Sequence, residues 1–157
     1  VINPGAVMGP TLSTDITGVS LDICSQMLSK KMPGMPNISF TMVDVRDVAK
    51  HHVQAMVYPE ASGKRFISAG TKPTSMQTVA EILKQNGFDV PTKKIPSFMI
   101  KFMGLFDAEA RGMSGYLDRY VTCDNSDTVS LFNWTPIPLE TTLVDMAKSV
   151  QSVGQSG

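Results

Sequence analysis

The chain has 157 residues, 42% of them hydrophobic, with 14 basic and 14 acidic side chains and a formal charge of zero. That is enough apolar surface for one domain, or half of a larger one, and it argues against a disordered chain. It supplies no whole-chain basic field for nucleic acid or an anionic membrane, and no apolar run reaches the roughly 18 residues of a membrane span.

Val1 and Ile2 read as the tail of a buried strand, broken by Asn3-Pro4-Gly5 and again by Gly9-Pro10, with Ala6-Val7-Met8 an apolar loop between. Ser13, Thr14 or Asp15 can cap a helix whose stripe is Val19, Ile23, Cys24, Met27 and Leu28. Pro33-Gly34-Met35-Pro36 ends it. Residues 38–45 predict a strand, with Asp44 and Asp47 at capping-box spacing before a helix over 46–58. Its inner stripe is Val45, Val48, Ala49, His52 and Met56, which puts His52 in the core and His51 in solvent. Residues 64–69 predict another strand, closed by Gly70.

Ser75 then caps a helix with Met76, Val79, Ala80 and Leu83 on one side, and Gly87 stands at its left-handed C-terminal position. Residues 93–96 predict an extended piece. Ser97 caps a helix over 98–106 that is apolar nearly all round, with Lys101 its sole charge, so the helix is expected to be buried or to line an apolar site. Residues 112–115 are expected to be flexible, 120–123 a strand, and 124–126 a cap. Trp134, Pro136 and Pro138 form a stiff connector to a final amphipathic helix carrying Leu139, Leu143, Met146, Ala147 and Val150, with a frayed tail over 151–157.

The result is mixed α/β with a parallel crossover but too few strands for a complete doubly wound sheet. Val1 in place of Met, and a sheet lacking partners on one side if Val1-Ile2 neighbours 64–69, read as a piece of something longer. Cys24 and Cys123 are too far apart for a CxxC site and read as buried thiols of a reducing, cytoplasmic compartment; no signal peptide opens the chain. Eleven methionines suit irregular core gaps or an adaptable pocket.

No catalytic constellation stands on its own. His51 and His52 point about 100° apart on a helix and cannot chelate one metal. Asp44 and Asp47 read as caps, and Gly5, Gly9 and Gly18 form no phosphate-binding turn.

An ordered series of motifs says more: NPGAVMGPTL (3–12), MPGMP (32–36), VDVRDVA (43–49), HVQAM (52–56), PEASGKRFI (59–67), DNS (124–126) and WTP (134–136). In that order they resemble the extended short-chain dehydrogenase/reductase family of the NAD-dependent epimerase/dehydratase superfamily, in its dihydroflavonol-4-reductase-like branch. The resemblance implies the C-terminal part of a Rossmann-type NAD(P)-binding fold with a smaller substrate subdomain. Residues 1–12 would be the strand end and nicotinamide-side loop, and 13–150 mostly substrate subdomain with one returning strand near 64–69.

It also implies an NADP- or NAD-dependent oxidoreductase reducing a ketone or aldehyde, in which a Tyr of a YxxxK helix passes the proton and the nicotinamide the hydride. Neither that motif nor a glycine-rich turn is in this sequence; Tyr58, Tyr116 and Tyr120 lack a Lys four residues on. The resemblance thus gives no catalytic residue here, and the chain alone is expected to be inactive. It implies cofactor contacts at Pro4, Gly5, Ala6, Val7 and Ser20, with Thr17 the alternative to Ser20. Substrate contacts are implied at Met8, Thr11, Leu12, Phe98 and Phe102, and Arg46 is structural or partly pocket-facing. The expected partner is a small carbonyl compound, with a homodimer as a further expectation and no nucleic acid or membrane. A sugar-nucleotide epimerase or dehydratase usually carries an Arg before this segment, where Ile2-Asn3 stands. A non-catalytic binding module is the remaining alternative.

Overall fold

In the computed structural model, residues 1–14, 17–106 and 108–154 are described, the side chains of 109 and 110 excepted. The strands are β1 (Ile2–Pro4), β2 (Ala6–Met8), β3 (Met35–Pro36), β4 (Ser39–Phe40), β5 (Met42–Asp44), β6 (Phe66–Ser68), β7 (Thr74–Ser75) and β8 (Lys94–Ile95). The helices are α1 (Val19–Leu28), α2 (Val45–Val57), α3 (Met76–Gln85), α4 (Ser97–Met103), α5 (Ala108–Ser114), α6 (Ser126–Phe132) and α7 (Leu139–Gly154).

β1 and β2 are one extended run that changes partner at Gly5. β1 lies parallel to β6, with Ile2 opposite Phe66 and Pro4 opposite Ser68; β2 lies parallel to β5, with Ala6 opposite Met42 and Met8 opposite Asp44. β3 pairs with β8 in parallel, and β4 with β7 antiparallel. The expected crossovers and the pairing of the first residues with 64–69 are therefore present. The span 38–45 is not one strand: residues 39–40 and 42–44 serve different partners, and the Thr41 carbonyl between them accepts the Ala6 N–H.

The main core lies among α1, α3 and α7, which contribute Met27, Val79, Leu83, Leu143, Met146 and Val150. Met8, Met35 and Met42 of the strands close it, so methionine fills the gaps where short strands of several pairs meet helices. A second cluster of Ala61, Phe66 and Phe132 sits between β6, α2 and α6.

Local chemistry explains the helix boundaries. The Asp44 carboxylate accepts the Arg46 N–H and caps α2; Asp47, however, takes the Ile137 N–H at 3.0 Å instead of completing a capping box. Ser75 caps α3 through the Thr78 N–H, and Gly87 has φ +87° just beyond it. α1 instead starts behind Gly18 with no side-chain cap; Ser13 and Thr14 lie upstream of its start, and Asp15 falls outside the described residues. Pro96, not Ser97, precedes α4, and the Ser97 hydroxyl donates to Asp118.

Other expectations are corrected. His51 is wholly buried and His52 exposed, the reverse of the reading from apolar spacing. α2 begins at Val45 and turns Asp47 and His51 inward, leaving Val45, Val53 and Met56 outside. The apolar helix at 98–106 is not buried: Ile100 enters the core, while Phe98 and Phe102 are 71% and 63% exposed. Gly112 is inside α5, residues 120–123 form no strand, and 151–154 extend α7; the rest of the tail lies outside the described residues. Cys24 is buried and Cys123 half-buried, both free. Among the described residues no helix is long and apolar enough to cross a membrane, and no group of three His, Cys, Asp or Glu could hold a metal ion.

Candidate functional site

The site is built where the first strand changes partner. Pro4 ends β1 opposite Ser68; the Gly5 N–H donates to the Ser68 carbonyl at 3.0 Å and the Ala6 N–H to the Thr41 carbonyl at 2.9 Å. A side chain at Gly5 would run into the Thr41 carbonyl oxygen and lie 2.9 Å from the Ala69 Cβ, so backbone fits here only bare. At Gly9, φ is +132° and a Cβ would stand 2.8 Å from the Val45 side chain; this bend ends β2 and turns the chain toward α1.

Two cavities adjoin this run. The smaller, about 620 Å³, is bounded by Val7, Met8, Gly9, Thr11, Leu12 and Arg46. The larger, about 990 Å³, is bounded by Ala6, Met8, Ile23, Phe40, Met113 and Tyr116. Met8, Val19 and Ser20 line both, so the two cavities adjoin at these residues. The larger wall is mostly apolar, with Thr17, Ser20 and Asp22 among its polar groups and the Phe40 and Tyr116 rings, 5.9 Å apart, among its apolar ones. Such a volume is that of a small-molecule pocket.

The residues marked in the sequence thus separate. Val7, Thr11 and Leu12 bound the smaller cavity, Ala6 the larger, and Met8 and Ser20 both; Pro4 and Gly5 set the backbone beneath them. The Thr11 N–H is held by the Ser149 hydroxyl at 3.1 Å, which ties the loop to α7. Phe98 and Phe102 bound neither cavity. The larger cavity is bordered by Met113 of α5, by Tyr116 just after it, and by Phe40. The i, i+3 spacing of Met113 and Tyr116 was the available signal, hidden by the glycines at 112 and 115.

A charge network lies beside the smaller cavity, which Arg46 borders. Asp44 is buried; its carboxylate accepts the Arg46 backbone N–H at 2.8 Å, two guanidinium bonds at 2.8 and 2.9 Å, and the Thr142 hydroxyl at 2.7 Å. Burial alone would raise the Asp44 carboxyl, but the bonds from Arg46 and Thr142 and the Arg46 charge hold it below the ordinary carboxylate range. Arg46 also reaches Asp145 at 2.9 Å, and the bonds to Asp44 hold its own proton more tightly than usual. One side chain therefore joins α2, α7 and the smaller cavity, both structural and pocket-facing.

Behind the sheet the His51 Nδ1 is 2.8 Å from the Ser68 hydroxyl, with its ring stacked on Phe132 and edged by Trp134. Burial pushes its pKa down, against the pull of Asp47. Burial likewise raises the Cys24 thiol to about 11, which leaves it an inert packing group of the main core.

No protein-family model matches the chain. It is 38% identical to the ketoreductase azaE of Aspergillus niger over 103 residues, covering 61% of this chain and 30% of that protein. It is 28% identical to an uncharacterised oxidoreductase of Saccharomyces cerevisiae over 97% of this chain and 42% of that one. The yeast methylglyoxal/isovaleraldehyde reductase Gre2, solved with NADPH, superposes with a TM-score of 0.70 and 22% identity, over 98% of this chain and 47% of its own. The chain spans less than half the length of each of these relatives. The paired parallel strands, the partner change at Gly5 and the superposition together give this chain the fold of the C-terminal part of an extended short-chain dehydrogenase/reductase.

Proposed function

We propose that the chain forms the nicotinamide-side loop and substrate pocket of an NAD(P)H-dependent reductase of ketones or aldehydes. The observation that carries this reading is the pair of cavities meeting at Met8, Val19 and Ser20, beyond the carboxyl end of a parallel strand. Open α/β sheets bind their ligands at that end, and hydride transfer needs its two reactants in direct contact, as cavities that adjoin at shared residues can hold them. NADPH in the superposed Gre2, and a ketoreductase and an oxidoreductase among the relatives, support the same assignment.

In this reading the smaller cavity, with Val7 and the loop to Leu12, takes the nicotinamide end, and Pro4 and Gly5 fix its floor. The larger cavity takes the carbonyl compound, its apolar body against Met113, Phe40 and Tyr116. The bound cofactor would supply hydride; these residues orient the two partners and exclude water. The proton donor and the turn for the pyrophosphate belong to polypeptide outside this sequence, which has no YxxxK.

The test is NADPH oxidation with a panel of aryl and alkyl ketones, run on this chain alone and on the polypeptide encoded in frame with its upstream sequence. Turnover only by the longer polypeptide is expected. Turnover by the isolated chain, or none by a longer polypeptide carrying YxxxK, would overturn the assignment.

A further inference from the structure

The loop that leaves β2 borders the smaller cavity with Gly9, Pro10, Thr11 and Leu12. Its local bonds shape the turn without anchoring it to another element. Gly9 bends at φ +132°, and the Leu12 side chain is fully exposed. The Thr11 hydroxyl folds back on its own segment, donating to the Ser13 carbonyl at 3.0 Å and accepting the Ser13 N–H at 3.1 Å. The Thr11 N–H, by contrast, reaches across the fold to the Ser149 hydroxyl of α7, 138 residues away in sequence.

Ser149 is set up for that bond. Its hydroxyl proton is committed to the Met146 carbonyl, 2.8 Å away and one turn back in the helix. This holds the side chain in one rotamer and leaves an oxygen lone pair for Thr11. Ser149 is half-buried, so water competes for that lone pair only in part. Met146 itself borders the smaller cavity, and Asp145 beside it holds Arg46, another border residue, at 2.9 Å. Residues 145, 146 and 149 lie along one side of a helix, so α7 supplies the same cavity with a wall and two ties. The two ties are unequal. Arg46 is also gripped by two guanidinium bonds to Asp44, whereas the Thr11 N–H has the Ser149 hydroxyl as its acceptor.

We propose that Ser149 is a positioning residue for the nicotinamide cofactor, acting through the Thr11 N–H to hold the loop over 9–12 in place at the smaller cavity before the cofactor arrives. This rests on the reductase reading above. With the bond made, the loop is ordered in advance. Without it, the cofactor must order the loop on binding, and affinity falls by the equilibrium between held and free loop.

The experiment uses the polypeptide encoded in frame with the upstream sequence and compares it with its Ser149→Ala variant in three ways: NADPH binding by nucleotide fluorescence, steady-state kinetics, and amide hydrogen exchange. Kd and KM for NADPH should rise about five-fold, the weight of one ordinary hydrogen bond. The kcat and the KM for the ketone should stay within about two-fold, since the lost bond serves cofactor binding. Exchange at the Thr11 amide should quicken, while the amides of β1 and β2 and the melting temperature keep their values. Ser149→Thr, which retains the hydroxyl, should restore both NADPH affinity and Thr11 protection. Gln151→Ala, an exposed position on the same helix, should leave them unchanged. Unaltered NADPH affinity or unaltered Thr11 exchange in Ser149→Ala, exchange quickened throughout β1 and β2, or an equal loss in Gln151→Ala would each overturn the proposal while the reductase reading stood. A parent polypeptide that binds no NADPH would overturn that reading, and this inference with it.

Discussion

Gly5 shows how much one missing side chain decides. Its amide faces β6 and the next faces the segment before β5, while the space for a Cβ is held by the Thr41 carbonyl and Ala69. Neither neighbour is a flexible side-chain end, so the backbone itself must move. Gly5→Ala should therefore destabilise the fold by about 1–3 kcal/mol, as overpacking does, measured by urea denaturation. The same chain also shows a residue that spacing misplaced. His52 shares an apolar periodicity with Val45 and Met56, yet His51 is the buried one. The inward direction of α2 was set by Asp47 and His51, whose partners Ile137 and Ser68 are 90 and 17 residues away. Hydropathy along a helix carries no sign of such partners.

At the scale of elements, α2 and α7 are held to β5 through one carboxylate. Thr142, itself buried, gives Asp44 one of its bonds. Thr142→Val keeps the shape and removes that donor from a buried charge, so a loss of about 1.5–3 kcal/mol is expected, seen as a lower denaturation midpoint with unchanged slope. Ser75→Ala removes the α3 cap and should cost about 1 kcal/mol. These two positions mark the boundary of what was legible. The caps Asp44 and Ser75, and the left-handed Gly87, could be read locally because a cap acts within three residues. The splitting of 38–45 into two strands could not, since it depends on β2 and β7 arriving from elsewhere in the chain. The pocket divided the same way. Met8 and Ser20, marked from local motifs, border both cavities, while the aromatic pair on the larger one, Phe40 and Tyr116, is brought together across 76 positions of sequence.

For the whole molecule, the buried groups set a direction for stability against pH. His51 is held below its ordinary pKa, so as pH falls through about 6.5 the unfolded chain takes the proton first and stability drops until the folded value is passed. Asp44 is depressed too; its stabilisation is complete above about 4 and is lost as pH falls further toward the folded value. Asp118 and Asp124 add to that lower step, their carboxyls held low by Asn37 and Ser97 and by Ser126 respectively. Melting temperature should thus fall in two stages on acidification. His51→Gln should remove the upper stage, and Asp44→Asn should shrink the lower one without abolishing it. A profile flat from neutral pH down to about 5 would show that His51 is protonated as readily in the fold as outside it.

The partner change at Gly5 also limits how this segment can vary in length. Because successive strand residues face opposite ways, one residue added between β1 and β2 would move Met8 off the border shared by the two cavities and bring Val7 onto it, while β1 kept its place on β6. Substitutions around the cavities can reshape them one group at a time. An insertion here exchanges the two compartments' linings in a single step, so diversity in this region should accumulate by replacement and hardly ever by change of length.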